Sequence, residues 1–459
     1  MNVRSRSLAI VALAATVGAC AMLPSLDEAE RQAAGKSAKS IPIVGPSGEL
    51  MGEARMRIED KLASLPTASL ERKLVLTNAY TGAPLTTGNA TRILLDGPEA
   101  YASMFDAIEA ARDHVHLESY IFDDVDVGRR LSDLLIRKAR EGVQVRVIYD
   151  SVGSRKTSPA FLASLEAAGV ALCEFNPINP LRARLFFINN RDHRKIVVVD
   201  GRVGFTGGIN FDGVYMSGSA PRGQAMPTLD DGWRDTHLRL EGAAVPELQK
   251  LFLQTWEKQG CKALEARNPF PPQRSRGDMV VSVIGSSSDG KLSPMYLTLI
   301  AALAYAERSI HLSTAYFVPD PNTILALKAA AARGVDVKVL LPGFTDSWLA
   351  FHAGRSFYEE LLAGGVKLYE YQGGVFHAKT AVVDGVWSTI GSSNIDWRSF
   401  CYNDEVNAIV VGAAFGADME KVFARDLADA TEITSERWAA RDAYARMSEF
   451  TARWFEQQL

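Results

Sequence analysis

The sequence predicts an α/β protein built from two tandem copies of one domain. Three observations carry this: strands and helices alternate from His114 onward, the wording of the first stretch returns 195 residues later (His116 to His311), and one pattern of histidine, lysine and aspartate stands near the end of each copy. In the first copy HVHLESYIF reads as a strand, 128–140 as a helix and QVRVIYD as a second, largely buried strand. A helical pattern over 159–168 follows, then short strands at 171–175, 196–199 and 203–205. In the second copy SIHLSTAYFVPD, a helix over 321–332 and VDVKVLLPG repeat that order, with similar turns at Gly142 and Gly334. A repeat of this length is a copied domain, because solenoid units run to roughly 20–50 residues. Residues 266–278, ARNPFPPQRSRGD, are rich in proline, glycine and charge and form the natural linker between the copies.

The chain has 459 residues, of which 47% are hydrophobic, enough for two or three domains with substantial cores. Fifty Lys and Arg face 54 Asp and Glu, a formal charge of −4, so no global positive field exists to hold a nucleic-acid backbone. A mean hydropathy of −0.02 describes a globule rather than a bundle of spanning helices. The first twenty residues differ. Arg4 and Arg6 precede an apolar run from Leu8 to Val17, followed by small residues and Cys20, which reads as an export signal too short to span a bilayer. The cysteine after small residues resembles a bacterial lipobox, which makes Cys20 the expected lipidation site and first mature residue. Ala21 after it favours the outer membrane by the same resemblance. The expected organisation is a signal peptide (1–19), a lipid anchor and polar tether (20–75) with one amphipathic helix over 49–65, domain 1 (76–265), the linker (266–278) and domain 2 (279–459). Cys173, Cys261 and Cys401 lack metal-site spacing and read as small core residues. An exported protein permits one disulfide among them without the sequence choosing the pair.

The chemistry is carried by HRKIVVVD (His193, Lys195, Asp200) and HAKTAVVD (His377, Lys379, Asp384). Both are HxKxxxxD, a pattern for which this composition gives about 0.09 chance matches per chain. Alternate residues of a strand face one side, so each imidazole and the ammonium two places on point into one cleft, while the apolar run enters the sheet and the aspartate falls at the strand end. Bringing the copies together sets two imidazoles and two ammoniums around one point, which suits an anionic phosphodiester. At strand ends, the expected task of Asp200 and Asp384 is to pin turns rather than to exchange protons.

These residues resemble the paired HKD motifs of the phospholipase D superfamily, and the flanking text is similar to its bacterial cardiolipin synthases. GFTGGIN and WRDTHLRLEG follow the first motif; IGSSNIDWRSF and NDEVN follow the second; TAYFVPD and RSFYEELLAGGVKLYEY lean the same way. The resemblance runs from about Thr87 to Val411. It implies two phospholipase D-like domains, each a mixed β-sheet between helices, related by a pseudo-twofold with the active site at their interface. It implies His193 as nucleophile, His377 as the acid that protonates the departing glycerol oxygen, and Lys195 and Lys379 as fixed cations. Asn210, Ser392, Ser393 and Asn394 are expected to bind the phosphoryl oxygens. By match to the family pattern, Asp235 would orient His193 and Glu405 would orient His377. No metal or other cofactor is expected.

The function so implied is a phosphatidyltransferase joining a phosphatidyl group to phosphatidylglycerol or a related alcohol through a phosphohistidine. Two rivals use other acceptors or substrates: a hydrolytic phospholipase D, which needs the same residues, and a nucleic-acid phosphodiesterase, disfavoured by the acidic balance and the export signal. A non-catalytic lipid-binding relic is disfavoured by the presence of both His-Lys pairs. Expected partners are phospholipid substrates and, through Cys20, a bacterial membrane facing the periplasm; nucleic acid is not expected, and the chain reads as a monomer. Outside the motifs His114, His116, His237, His311 and His352 read as ordinary structural histidines. Glu118 could reach the cleft or pair a surface cation. PLRARLFFI before the first motif and the stretch 348–363 could face lipid or pack inward.

Overall fold

The structure, a computed structural model, describes residues 23–35, 41–178, 189–219, 229, 232–263, 265, 267–288 and 293–459. The export signal, Cys20 and PLRARLFFI lie outside the described residues. Short strands β1 (Ile43–Gly45) and β2 (Gly48–Glu49) precede β3 (Leu85–Leu95). The first half continues with β4 (His114–Ser119), β5 (Gln144–Asp150), β6 (Ala171–Phe175), β7 (Arg191–Asp192), β8 (Ile196–Val199), β9 (Val203–Gly207) and β10 (Thr236–Glu241). The second half carries β11 (Met279–Ser286), β12 (Ser309–Ser313), β13 (Asp336–Pro342), β14 (Lys367–Tyr371), β15 (Thr380–Val383), β16 (Trp387–Gly391), β17 (Asn403–Val411) and β18 (Ala430–Ile433).

The first sheet runs β6-β5-β4-β8-β9-β10-β3, parallel across β4 to β6 and antiparallel elsewhere. The second repeats the order as β14-β13-β12-β15-β16-β17-β11, with β18 added beyond β14. Strand β3 belongs to both sheets: Ala90 to Leu95 pair with β10, while Thr86 and Asn89 pair with β11. The two mixed sheets are thereby joined edge to edge through equivalent strands, which produces the pseudo-twofold.

Local sequence accounts for the elements. In helix Asp126–Arg140, Val127, Leu131, Leu134 and Leu135 recur at helical spacing and are buried, with three basic residues in the last turn. Helices Pro159–Ala167 and Pro321–Ala332 start on a proline after a capping Ser158 or Asp320 that accepts backbone N–H bonds. Separate cores fill the two halves. A third is shared at the seam, where Ile196, Val198, Leu238 and Leu240 meet Val281, Val382, Ile390 and Val406.

The expected tether over 20–75 is corrected in its described part. Residues 41–75 are folded onto the second half: β1 pairs with β3, and helices Gly52–Ala63 and Leu70–Thr81 pack there, the latter burying Leu70, Leu74 and Leu76. Lys73 is buried with them, and its Nζ lies 2.6 Å from Asp384 Oδ2. Cys173 and Cys261, read as small core residues with one disulfide permitted and its pair left open, are joined to each other. They form a disulfide with a Cα–Cα distance of 5.6 Å, pinning β6 to the segment after helix Val245–Lys258. Among the described residues no helix is long and apolar enough to cross a membrane.

Candidate active site

His193 and His377 reach the seam by the same device. Asp192 pairs with Asp404 at the start of β17, and the His193 backbone N–H donates to the Asp404 carbonyl at 2.9 Å. In the other half Phe376 bridges Arg234, and the His377 N–H donates to the Arg234 carbonyl at 2.8 Å. Each histidine is therefore laid alongside the residue that follows in the opposite half, Glu405 or Asp235.

The orienting carboxylates are consequently exchanged relative to expectation. His193 Nδ1 lies 3.0 Å from Glu405 Oε2, and His377 Nδ1 lies 2.7 Å from Asp235 Oδ2. Asp235 makes the shortest of three approaches to that nitrogen, against 2.9 Å for Lys379 Nζ and 3.1 Å for the Tyr215 hydroxyl, so it is the natural acceptor of the Nδ1–H. With Nδ1–H held by a carboxylate, Nε2 of each ring carries the lone pair available for chemistry. Gly208 makes room for Asp235: a Cβ there would stand 2.2 Å from Asp235 Oδ1.

Both imidazoles and both ammoniums are buried. Lys195 Nζ donates to the His193 carbonyl at 2.6 Å and sits 5.4 Å from the centre of the Tyr120 ring. Lys379 donates to the His377 carbonyl. Burial, opposed by Glu405, brings Lys195 down to about 7; burial, opposed by Asp235, brings Lys379 down to about 8. Burial lowers His193, and burial together with Lys379 and Lys195 holds His377 well below its ordinary value. The charge of each half's lysine thus acts on the histidine of the other half, which places all four groups around one cleft. Burial pushes Asp235 up to about 6, whereas at Glu405 the same penalty is outweighed by His193, Lys195 and Ser392, which hold the carboxyl below its usual range. Rings of Tyr120 on one side and of Tyr215, Trp233 and Tyr316 on the other stand around the histidines.

The remaining sequence-selected residues divide by location. Asp200 accepts from the backbone N–H groups of Arg112, Asp113 and His114; Asp384 accepts from those of Glu307, Arg308 and Ser309 and pairs with Lys73. Both sit at the strand ends in the left-handed region, φ 52° and 56°, as turn-pinning groups rather than catalytic ones. Ser392 donates to Glu405, Ser393 Oγ donates to Asn407 at 2.6 Å, and Asn210 accepts from the Ile121 N–H while its amide reaches the Tyr215 hydroxyl at 3.3 Å. These three, expected to bind substrate, are engaged in holding the site. Asn394 Oδ1 is buried without a partner among the described residues.

Glu118 takes neither expected place. It is buried, accepting from Thr255 Oγ1 at 2.9 Å, beside Asp192 and 3.9 Å from Arg194. Burial pushes its carboxyl up to about 7 and Asp192 well above the usual carboxylate range. Arg194 ties the cluster to the catalytic layer, donating to the Glu405 carbonyl at 3.1 Å and to the Ser286 carbonyl at 2.7 Å. Sequence reading missed Asp192, Arg194, Tyr215 and Lys73. A signal existed for the first two: DHRK in one motif stands opposite FHAK in the other. The structural histidines are placed as such, His116 against Gln249 and Phe252, His311 between Glu420 and Asp336.

A family model described as the phospholipase D-like domain of cardiolipin synthase matches residues 104–219 and 299–427, more than half of the chain. The chain belongs to this phospholipase D family. Its relatives include a cardiolipin synthase of Alkalihalophilus pseudofirmus, 38% identical over 372 residues covering 81% of this chain and 72% of the relative. A cardiolipin synthase of Geobacillus sp. (strain WCH70) is 37% identical over 399 residues, 85% and 77% of the two chains. Among solved structures, the phosphatidylserine synthase of Haemophilus influenzae Rd KW20 shares the fold, with a TM-score of 0.60 at 12% identity over 80% of this chain and 95% of that one. This phospholipase D-family enzyme is a phosphatidyltransferase.

Proposed function

We propose that the enzyme makes cardiolipin by moving a phosphatidyl group from one phosphatidylglycerol to the hydroxyl of another, through a phosphohistidine on His193. The observation that carries this reading is the asymmetry of the two imidazoles. His193 leans on an ionised Glu405, which favours the cationic phospho-adduct; His377 has an ammonium 2.9 Å from Nδ1, which makes it the readier proton donor. In the first step His193 Nε2 attacks phosphorus, the bond from phosphorus to the glycerol oxygen breaks, and His377 gives that oxygen its proton. In the second, His377 takes the proton of the incoming hydroxyl as its oxygen displaces His193 from phosphorus. Lys195 and Lys379 stabilise the charge on the non-bridging oxygens. Burial, Lys379 and Lys195 hold His377 well below its ordinary value, and the negative charge of a phosphodiester beside it favours its protonation. The cysteine at position 20 and the preceding signal support an exported, lipid-anchored enzyme facing the periplasm, and the Cys173–Cys261 disulfide suits an oxidising compartment.

The test is purified protein with phosphatidylglycerol vesicles in the presence of chelator. Cardiolipin and glycerol are expected, and His193→Ala abolishes both. Phosphatidic acid without cardiolipin would instead make the enzyme a hydrolase, and a trapped phosphate on His377 would reverse the roles of the imidazoles.

A further inference from the structure

Helix Ala443–Arg453 is packed inside out. Its inward side carries Ser448, Glu449 and Ala452, whereas Tyr444, Met447 and Phe450 are 71%, 66% and 61% exposed and Trp454, one turn on, is 73% exposed. The spacing of these four puts them on one stripe, continued by exposed Phe455. A helix at a protein surface ordinarily turns such residues to the core, and a contiguous row of large apolar side chains facing outward marks an interaction surface. The composition is that of an interfacial element: two rings with a polar edge, Tyr444 and Trp454, beside Phe and Met. Arg446 and Arg453 flank the stripe, Arg446 donating to the Ala439 carbonyl at 2.6 Å and Arg453 lying 3.6 Å from Glu456.

The location is specific to the active site. The backbone N–H of Arg398 donates to the Leu459 carbonyl at 2.7 Å, and the Arg398 guanidinium holds Asn189, four residues before His193. Helix Trp348–Arg355 packs on Ala443–Arg453 and presents exposed Trp348. Two residues before it, Asp346 accepts a hydrogen bond from the Tyr316 hydroxyl at 2.7 Å, and the Tyr316 ring stands 6.3 Å from His377. The stripe is therefore tied to segments leading into both catalytic motifs.

We propose that Tyr444, Met447, Phe450, Trp454 and Phe455 form the face by which the enzyme lies on an anionic phospholipid bilayer, bringing the mouth of the cleft to the level of the headgroups. The occupant is a lipid surface because the substrate class of the site is an amphiphile that must pass from a bilayer to the seam, and because Arg446 and Arg453 beside the stripe suit anionic headgroups. This rests on the reading of the site as a phosphatidyltransferase.

The test compares the full chain with Trp454→Phe on phosphatidylglycerol vesicles whose acyl chains carry bromine, a contact quencher of indole fluorescence. The component of emission missing from Trp454→Phe should be quenched; equal quenching of the two proteins overturns the proposal. In parallel, Met447→Ser/Phe450→Ser/Trp454→Ser should lose at least about tenfold in kcat/KM on vesicles while turnover of a short-chain monomeric phosphatidylglycerol stays unchanged. Equal loss on both substrates overturns it, as does a wild-type dimer that the triple variant converts to a monomer. Quenching of Trp454 in a protein that transfers no phosphatidyl group would support the surface and defeat only the assigned reaction.

Discussion

Glu405 holds the Nδ1 of His193 across 212 residues of sequence and across the boundary between the two halves. Each half's imidazole takes its carboxylate from the other half. The pairing of Asp192 with Asp404, and of Phe376 with Arg234, sets that exchange at the seam.

Removing either carboxylate's charge should therefore impair a different step. Glu405→Gln leaves His193 without its ionised acceptor and should slow formation of the phosphoenzyme by about 10²–10³-fold. Asp235→Asn should affect protonation of the leaving alcohol through His377. Rapid-quench measurement of phosphoenzyme formation and turnover separates them: Glu405→Gln should lower the first rate on good and poor leaving groups alike, while Asp235→Asn should be rescued by an alcohol of low pKa.

The pH profile of kcat/KM should be bell-shaped. Asp235 must be ionised to hold His377, and burial has pushed it up to about 6, so activity falls as the pH drops through that value. Lys195 and Lys379 must be protonated to act as cations, and burial has brought them down to about 7 and about 8, so activity falls again as the pH rises through this range. His193 adds no limb at its ordinary value, since its lowered pKa keeps it neutral there. Asp235→Asn should remove the acid limb at 6; its persistence would assign that limb to another group.

Lys73→Ala should destabilise the fold by about 3–5 kcal/mol, because it strands the Asp384 carboxylate in a buried site. The hydrogen bonds around Asp384, with Lys73, outweigh burial and lower its carboxyl, so this contribution is in force above the unfolded value and is lost as the pH falls through the depressed folded one. Thermal unfolding at neutral and acid pH measures it: the gap between wild type and variant should narrow on acidification.

The Cys173–Cys261 bridge closes a separation of 88 residues, and Cys173→Ser/Cys261→Ser should cost about 2–5 kcal/mol. Urea unfolding of the oxidised protein against the double variant tests this, and peptide mapping under non-reducing conditions should recover the two cysteines in one linked species.

Much of the molecule was legible without coordinates because its signals are local. The apolar run IVVV, the alternating QVRVIYD, capped helices such as 321–332, and two HxKxxxxD motifs in equivalent places are each written within a few residues, and a duplication reads as repeated wording. The segment over 41–75 was misread because its polar residues dominate a window whose decisive feature is distant. Lys73 on a short helix is charged by composition, and only the buried Asp384, more than 300 residues on, turns it inward.

The sequence by itself determined the duplicated α/β architecture, the two His-Lys pairs and the turn-pinning aspartates, since strand alternation places each of them from neighbours alone. Tertiary structure decided which carboxylate serves which imidazole, the buried acids Glu118 and Asp192 around Arg194, and the outward stripe at Tyr444 to Trp454. The physical reason is that hydrogen bonding, burial and the pKa of a buried group depend on atoms brought near by the fold, and here those atoms come from the opposite half of the chain.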